Sequence, residues 1–415
     1  MRGGAHPNPS VGFKEFVALT AALMATQAIS IDAMLPALPT IGASLHVANP
    51  NHTQLIVTSY VIGMGIGQLF WGLLSDRYGR RPIMISGLMV YVVAAVLSGL
   101  ATNFTVLLTL RLTHGVAAAS VVVARSAIRD QFSGRQMARV MSLTLILFLM
   151  IPVIAPTLGQ LVLAVAPWRS IFLLFGAYAA LVFLWVLLRM PETLHPEYRL
   201  TLNREQVTRA VALVLGQRQS VCYTLAMAVM FGSILAYVGM VQQIFQDVFH
   251  RAALMPVVFA LCASLMAVTS YLNSRIVERL GMRAISQTGL LIFISFTALH
   301  TLVALTGLER LWTFVLLQSV TMACLGLTGS NFGAMAMEPV GTVAGVGASL
   351  QGFISVTGGA LVGAAVGKWF NGTTLPLAFG QLLCGVTSLL LVFYAEHGRL
   401  FTAQHAVTVA AETPG

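Results

Sequence analysis

Asp32 and Arg111 are charged residues set deep in long apolar runs, Asp32 between Phe16 and Leu38 and Arg111 between residues 105 and 127. At the centre of a membrane helix such a charge costs roughly 2.5 to 3.5 kcal/mol, so both side chains must face protein or water rather than lipid. Stepping back from Asp32 by helical spacing passes Ala28, Ala25, Ala21 and Ala18, a small-residue stripe suited to close packing inside a bundle. Gly115 and Ala118 continue the face of Arg111. Two roles fit the pair. Asp32 is a proton-titrating or cation-binding carboxyl whose charge answers to Arg111, substrate and water, or the two residues form a fixed structural ion pair. His114, one turn from Arg111, is the histidine placed to join them.

A second concentration of charge is the run Gly72-Leu-Leu-Ser-Asp76-Arg77-Tyr-Gly79-Arg80-Arg81. Asp76 can accept from free amides at the positive end of a neighbouring helix, and Arg77, Arg80 and Arg81 can pair with Asp130. Such a cluster can latch one conformation and release it when the flanking helices rock. Basic flanking of a membrane helix also accounts for the arginines, but not for Asp76, Gly72 and Gly79.

Pro152, Pro156 and Gly159 share one apolar run, where each proline removes a backbone hydrogen bond and predicts a bend unless neighbours re-satisfy the freed groups. Gly359, Gly363 and Gly367 recur every four residues and predict close helix packing. Tyr60, Tyr237, Gln242, Gln318, Asn331 and Gln351 are polar groups at membrane depth that either bond between helices or line a cavity.

Several chemistries are unsupported. The run Gly363-Ala-Ala-Val-Gly367-Lys368-Trp369 has the wrong glycine spacing for a phosphate-binding loop and lacks the following Ser or Thr. The nine histidines form no metal-ligand spacing, and Cys222, Cys262, Cys324 and Cys384 lie in apolar segments without a CxxC pattern. No metal and no cofactor are expected, and the chain is not expected to be an enzyme.

The elements that position these side chains must be membrane helices. Of 415 residues, 57% are hydrophobic and 9% charged, against roughly 25% charged in a soluble domain, and mean hydropathy is +0.86. Spans of about 20 residues are expected near 14–38, 53–74, 83–101, 105–127, 138–164, 168–189, 219–245, 254–274, 284–305, 309–332, 342–367 and 374–396. The first run has no small-residue cleavage site and reads as an uncleaved span. The polar segment Pro191 to Arg218 divides the spans into two sets of six. The expected organisation is thus a tail (1–13), a six-helix bundle (14–189), a linker (190–218), a second six-helix bundle (219–396) and a tail (397–415).

The net charge of +10 is dispersed in short patches, which argues against a nucleic-acid partner. With both termini cytoplasmic, 18 of the 23 Lys and Arg fall in inner loops, as the positive-inside rule requires. Asp32 and Arg111 then lie at similar depth, each about 9 Å below the outer end of its span. The loop after the eighth span, Glu278-Arg279-Leu-Gly281-Met-Arg283, repeats the Asp76-to-Arg81 pattern 202 residues later, the mark of duplicated halves. Many secondary transporters built from repeats place their site at the repeat interface near the midplane.

At these residues the chain resembles the major facilitator superfamily, and within it the Bcr/CflA-type drug:proton antiporters of bacterial inner membranes. The resemblance runs from about Phe13 to Tyr394. Gly72 to Arg81 matches the superfamily signature between spans 2 and 3 at every defining position. The run Asp32-Ala-Met-Leu-Pro36-Ala-Leu-Pro39 looks like the first-span motif, and Arg111-Leu-Thr-His-Gly115 is similar to the fourth-span motif associated with proton coupling. Span 5 resembles the antiporter motif through Pro156 and Gly159, with Ile151, Ala155 and Gln160 where the fullest form has glycines. Ala336 to Gly345 looks like the family's connection between spans 10 and 11.

The resemblance implies an all-α membrane protein of two pseudo-symmetric six-helix bundles, in which Asp76 meets the start of helix 11 in the outward-facing state. It implies proton-coupled efflux of small amphipathic drugs by alternating access, driven by the proton gradient. A metabolite exporter or importer on the same fold is the alternative, and a membrane enzyme or receptor finds no supporting residues. Expected partners are a small-molecule substrate, protons and the lipid bilayer, with a monomer as the working unit.

Overall fold

The computed structural model describes residues 11–195, 197, 204–307 and 309–401. Most of both expected tails, part of the 190–218 linker, Arg2 and Arg199 lie outside the described residues. Among the described residues the regular elements are helices: α1 (Phe13–Asp32), α2 (Leu38–Ser44), α3 (Leu55–Tyr78), α4 (Arg80–Gly99), α5 (Phe104–Ala118), α6 (Val122–Gln131), α7 (Gly134–Val165) and α8 (Arg169–Arg189). After the linker come α9 (Arg204–Gly216), α10 (Arg218–Gln243), α11 (Met255–Leu280), α12 (Met282–Leu305), α13 (Leu311–Met337), α14 (Ala344–Gly367) and α15 (Leu375–Ala395), with short 3-10 and π turns between several of them.

Ten helical stretches are long and apolar enough to cross a membrane, and one of them, Leu311–Gly367, is the pair α13 and α14. With the 32-residue α7, the spans number twelve among the described residues. Leu181, Leu188, Leu302, Leu316 and Leu390 point outward and are each more than 60% exposed, a surface that lipid solvates and water does not.

The first span differs from expectation. It covers Phe13–Ser44 rather than 14–38 and is broken at its middle, because α1 stops at Asp32, a 3-10 turn covers Leu35–Ala37, and α2 restarts at Leu38. Pro36 and Pro39 cause the break. Neither can donate a backbone hydrogen bond, and each sits in the first turn of the element that follows, where no donor is required. Asp32 is therefore the last residue of a helix and not an interior one. The linker also holds a helix that was not anticipated, α9, whose buried Ala210 and Val214 lie one turn apart and face the second bundle.

The first six spans pack α1 on α7, α3 on α5 and α4 on α8, and the last six pack α10 on α14 and α15, α11 on α13 and α12 on α13 and α15. Among the described residues the two most extensive packings between the bundles are α3 with α14 and α7 with α11. The α3–α14 seam is antiparallel and holds one register along its length. From one end to the other Gln54 meets Gly367, Gly65 meets Thr357, Gln68 meets Gly352 and Gly72 meets Ser349. The internal repeat is visible in the backbone, where Gly79 (φ 105°) and Gly281 (φ 83°) each end one helix and begin the next in a conformation that suits glycine.

Candidate functional site

Because α1 ends at Asp32, the carbonyls of its last turn have no partner within the helix. Arg111, on α5 and completely buried, supplies one. Its Nη2 donates to the Ser30 carbonyl oxygen at 2.9 Å and its Nε to the Ile56 carbonyl oxygen at 3.3 Å. Its Nη1 lies 3.1 Å from His114 Nδ1, and the guanidinium stands 4.2 Å from the centre of the Tyr60 ring. A fork of donors reaching two helices and stacking on an aromatic face is what arginine, and not lysine, can provide.

Arg111 therefore does not pair with Asp32, although it reaches α1 only two residues away. The positive guanidinium instead caps the negative end of α1. Asp32 is 6% exposed and, among the described residues, has neither a hydrogen bond nor an ion pair. Of its small-residue stripe, Ala21, Ala25 and Ala28 are buried and Ala18 is exposed.

At the basic end of the first bundle, Arg80 is the centre of a charge network. Its Nε donates to Asp130 at 2.9 Å, and its Nη1 donates to Ser75 Oγ at 2.7 Å and forms an ion pair with Asp76. Thr193 also donates to Asp130, at 3.2 Å. Arg81 donates to the Leu187 carbonyl oxygen at 2.7 Å, and Arg77 is exposed against the Tyr78 ring, so only one of the three arginines expected to meet Asp130 does so. The free amides at the start of α4 are not taken by Asp76. Glu192 takes them, accepting from Arg80 N at 2.8 Å and Arg81 N at 3.2 Å. Sequence reasoning missed Glu192 because it lies 112 residues from Arg80 and only packing of α8 on α4 brings it there.

The second bundle has its own network. Arg283 pairs with Glu396 at 2.8 Å and with Glu338 at 3.4 Å, Tyr223 donates to Glu396 at 2.7 Å, and Gln219 donates to Glu338 at 2.9 Å. In both bundles, then, an arginine just past the repeated glycine is held by acids from the ends of other helices.

The remaining candidates divide by partner. Tyr60 donates to the Gln27 carbonyl oxygen, Asn331 to Asn273 and the Leu327 carbonyl oxygen, and Gln351 to the Gly333 carbonyl oxygen, all bonds that tie helices or turns together. Tyr237, Gln242 and Gln318 are buried, and among the described residues Gln242 and Gln318 have side-chain polar atoms without a hydrogen-bond partner. Gln242 lines a cavity of about 290 Å³ with Leu38, Pro39, Gly239 and Asp247 between the bundles, at the end away from Arg80. A second cavity, of about 190 Å³, has Gly72 and Asp76 on one wall and Ala344, Gly345 and Ser349 of α14 on the other. Pro152 and Pro156 lie inside one uninterrupted α7. Gly159 crosses Ala33, while Gly359 and Gly363 pack on α10.

Twelve membrane helices in two joined bundles, with polar groups and cavities between them and charge networks at one end, define a multi-pass membrane transporter rather than an enzyme. The chain matches the family model described as Major Facilitator Superfamily over residues 19–364, and it belongs to that superfamily. It is 30% identical over 373 residues to the bicyclomycin resistance protein homolog of Haemophilus influenzae, covering 88% of this chain and 92% of that one. It is 27% identical over 405 residues to the multidrug resistance protein MdtL of Escherichia fergusonii, covering 94% and 98%. Among solved structures, its fold superposes on a partially occluded inward-open form of the xylose transporter XylE from E. coli with a TM-score of 0.71 at 11% identity, covering 94% of this chain and all of that one.

Proposed function

We propose that the protein exports small amphipathic drugs or antibiotics across the bacterial inner membrane in exchange for protons, by alternating access between its two bundles. The carrying observation is Asp32, a buried carboxyl that has no partner among the described residues, at the break in the first span. An unpaired acid at that depth is retained against its cost when it binds and releases a proton. The resistance proteins among its relatives support drugs as cargo. The arginine-rich end would face the cytoplasm, where positive loops collect, and a monomer would be the working unit. In this reading Asp32 and Arg111 form the coupling region, and the Arg80 network holds one conformation until the α3–α14 seam opens.

The test is drug-driven proton release by the purified protein in detergent and drug efflux by cells, for wild type and Asp32→Asn. Proton release lost in the variant, with drug binding retained, is the expected result. Proton release or coupled export unchanged in Asp32→Asn overturns the coupling role. The absence of span-5 glycines at 151, 155 and 160 favours a second reading, transport of a small metabolite on the same fold. A protein that answers to metabolites and to no drug would support it.

A further inference from the structure

At the end of the molecule away from Arg80, side-chain carboxamides tie the two bundles together. Asn49 caps the 3-10 turn Pro50–Gln54 by accepting from Asn51 N at 3.0 Å, and the turn runs directly into α3. This holds Asn51 against the second bundle. There α14 ends at Gly367, and the carbonyls that follow stand outside the helical ladder. Asn51 Nδ2 donates to two of them, that of Phe370 at 2.8 Å and that of Lys368 at 3.4 Å. Its Oδ1 accepts at 3.1 Å from Nε2 of Gln243, the last residue of α10. A carbonyl oxygen only accepts, so the amide nitrogen of Asn51 must face Lys368 and Phe370, and its oxygen is left for Gln243. One side chain of the first bundle thus closes on the ends of two helices of the second.

Two further contacts support the same closure. Gln54 is buried and wedges between the ends of α10 and α14, where a Cβ at Gly239 would lie 2.8 Å from its Oε1 and one at Gly367 only 1.7 Å. Gln160 of α7 donates to the Ala252 carbonyl oxygen, just before α11, at 3.3 Å. Asp247, Arg251 and Lys368 are the charged residues of the connecting segments here, and among the described residues none of them forms an ion pair. The other end of the molecule is different, since Arg80 and Arg283 centre networks of charge there.

We infer that Asn51 is the hub of a gate at the outer end of the transport path, closed by neutral hydrogen bonds that must break before cargo can leave. The cavity that Gln242 lines has Pro50, Thr53 and Gln243 in its wall, so the clasp stands at the edge of a space between the bundles. A charge-free clasp suits the outer face, because exposed ion pairs weaken as salt rises and carboxamide bonds do not. The inference rests on the transport reading for which end is outer, and it adds the residue that holds that end shut.

Ala48→Cys and Ala253→Cys place spin labels at exposed positions on opposite bundles at this end, and the four native cysteines are buried. Pulsed electron spin resonance on the full chain in nanodiscs, without drug or proton gradient, resolves the label distances into closed and open populations. Failure of drug or proton coupling therefore leaves this result intact. Wild type should be mostly closed. Asn51→Ala should raise the ratio of open to closed about tenfold, the effect of losing two or three neutral hydrogen bonds, and Gln243→Ala about threefold, that of losing one. Asn51→Asp has the same shape and should open at least as far as the alanine variant, because its carboxylate still accepts from Gln243 but meets two carbonyl oxygens. Raising salt from about 0.1 to about 1 M should leave the wild-type distances unchanged.

A mostly open wild type, or Asn51 variants as closed as wild type, overturns the inference. A closed fraction that falls as salt rises also overturns it, because the clasp would then be ionic. So does a single broadened distance in the variants with an unfolding temperature lowered in step, since Asn51 would then order its own turn and not gate the path.

Discussion

Gly159 of α7 meets Ala33 of the first span backbone to backbone, so that a Cβ at position 159 would overlap the Ala33 carbonyl oxygen. The contact falls one residue after Asp32, where α1 gives way to the 3-10 turn. The break that exposes the end of α1 to Arg111 is thus covered on another side by α7. Gly159 therefore serves as a close-approach position.

Gly159→Ala should lower stability by about 1 to 3 kcal/mol, since the obstructing atom is a backbone oxygen that cannot swing away as a side chain could. Thermal unfolding in detergent measures it. A variant as stable as wild type would mean that α7 does not pack this closely on the first span.

Arg111→Lys should destabilise despite keeping its charge. A single ammonium cannot reach both the Ser30 and Ile56 carbonyl oxygens and also stack on Tyr60, so at least one bond worth about 1.5 to 3 kcal/mol is lost. Chemical denaturation compared with Asp32→Asn is informative here, because Asp32 has no bond to lose among the described residues and its neutral variant should unfold close to wild type.

Arg80→Ala and Arg77→Ala should separate sharply although the two residues lie in one motif. Removing Arg80 strips Asp76, Asp130 and Ser75 of a shared, largely buried partner, at a cost of about 3 to 5 kcal/mol. Arg77 touches only the exposed Tyr78 ring and should cost about 0.5 kcal/mol or less. Comparable losses would contradict this division.

Glu192→Gln should weaken the start of α4 by about 1 kcal/mol, because a charged acceptor at a helix N-terminus is replaced by a neutral one. Amide exchange in the first turn of α4 reports this locally. Unchanged protection at Arg80 and Arg81 would show that Glu192 is not the cap.

Gly72→Cys with Ser349→Cys should crosslink on mild oxidation, since a Cβ at 72 would stand 3.3 Å from Ser349 Oγ across the α3–α14 seam. Mobility on a denaturing gel, after cleavage in the 190–218 linker, separates linked from unlinked halves. Transport that stops on oxidation and returns on reduction would tie opening of the seam to the transport cycle. Failure to crosslink would place the two helices in another register.

Much of the fold is legible in the sequence because lipid imposes one rule on every span. Backbone groups must be satisfied within the helix, so apolar length alone reveals the twelve segments and their division into two sets. The repeated glycine loops were also legible, since Gly79 and Gly281 occupy a backbone region open mainly to glycine. The break after Asp32 was half visible. Pro36 and Pro39 stand in the sequence, but hydropathy does not register a change of helix that stays within an apolar run.

Which charge meets which was decided by the tertiary structure. Asp32 and Arg111 lie at similar depth, and the sequence alone allowed an ion pair. Packing of α5 against α1 instead presents the Ser30 carbonyl oxygen to Arg111 and leaves the carboxyl alone. The cap on α4 comes from Glu192, and the partners of Arg283 are Glu396 and Glu338, all distant along the chain. The sequence determines which residues lie at membrane depth, because transfer energies are additive along a span. Pairing depends on side-chain reach and competing acceptors within a few ångströms, and those distances exist only once the helices have packed.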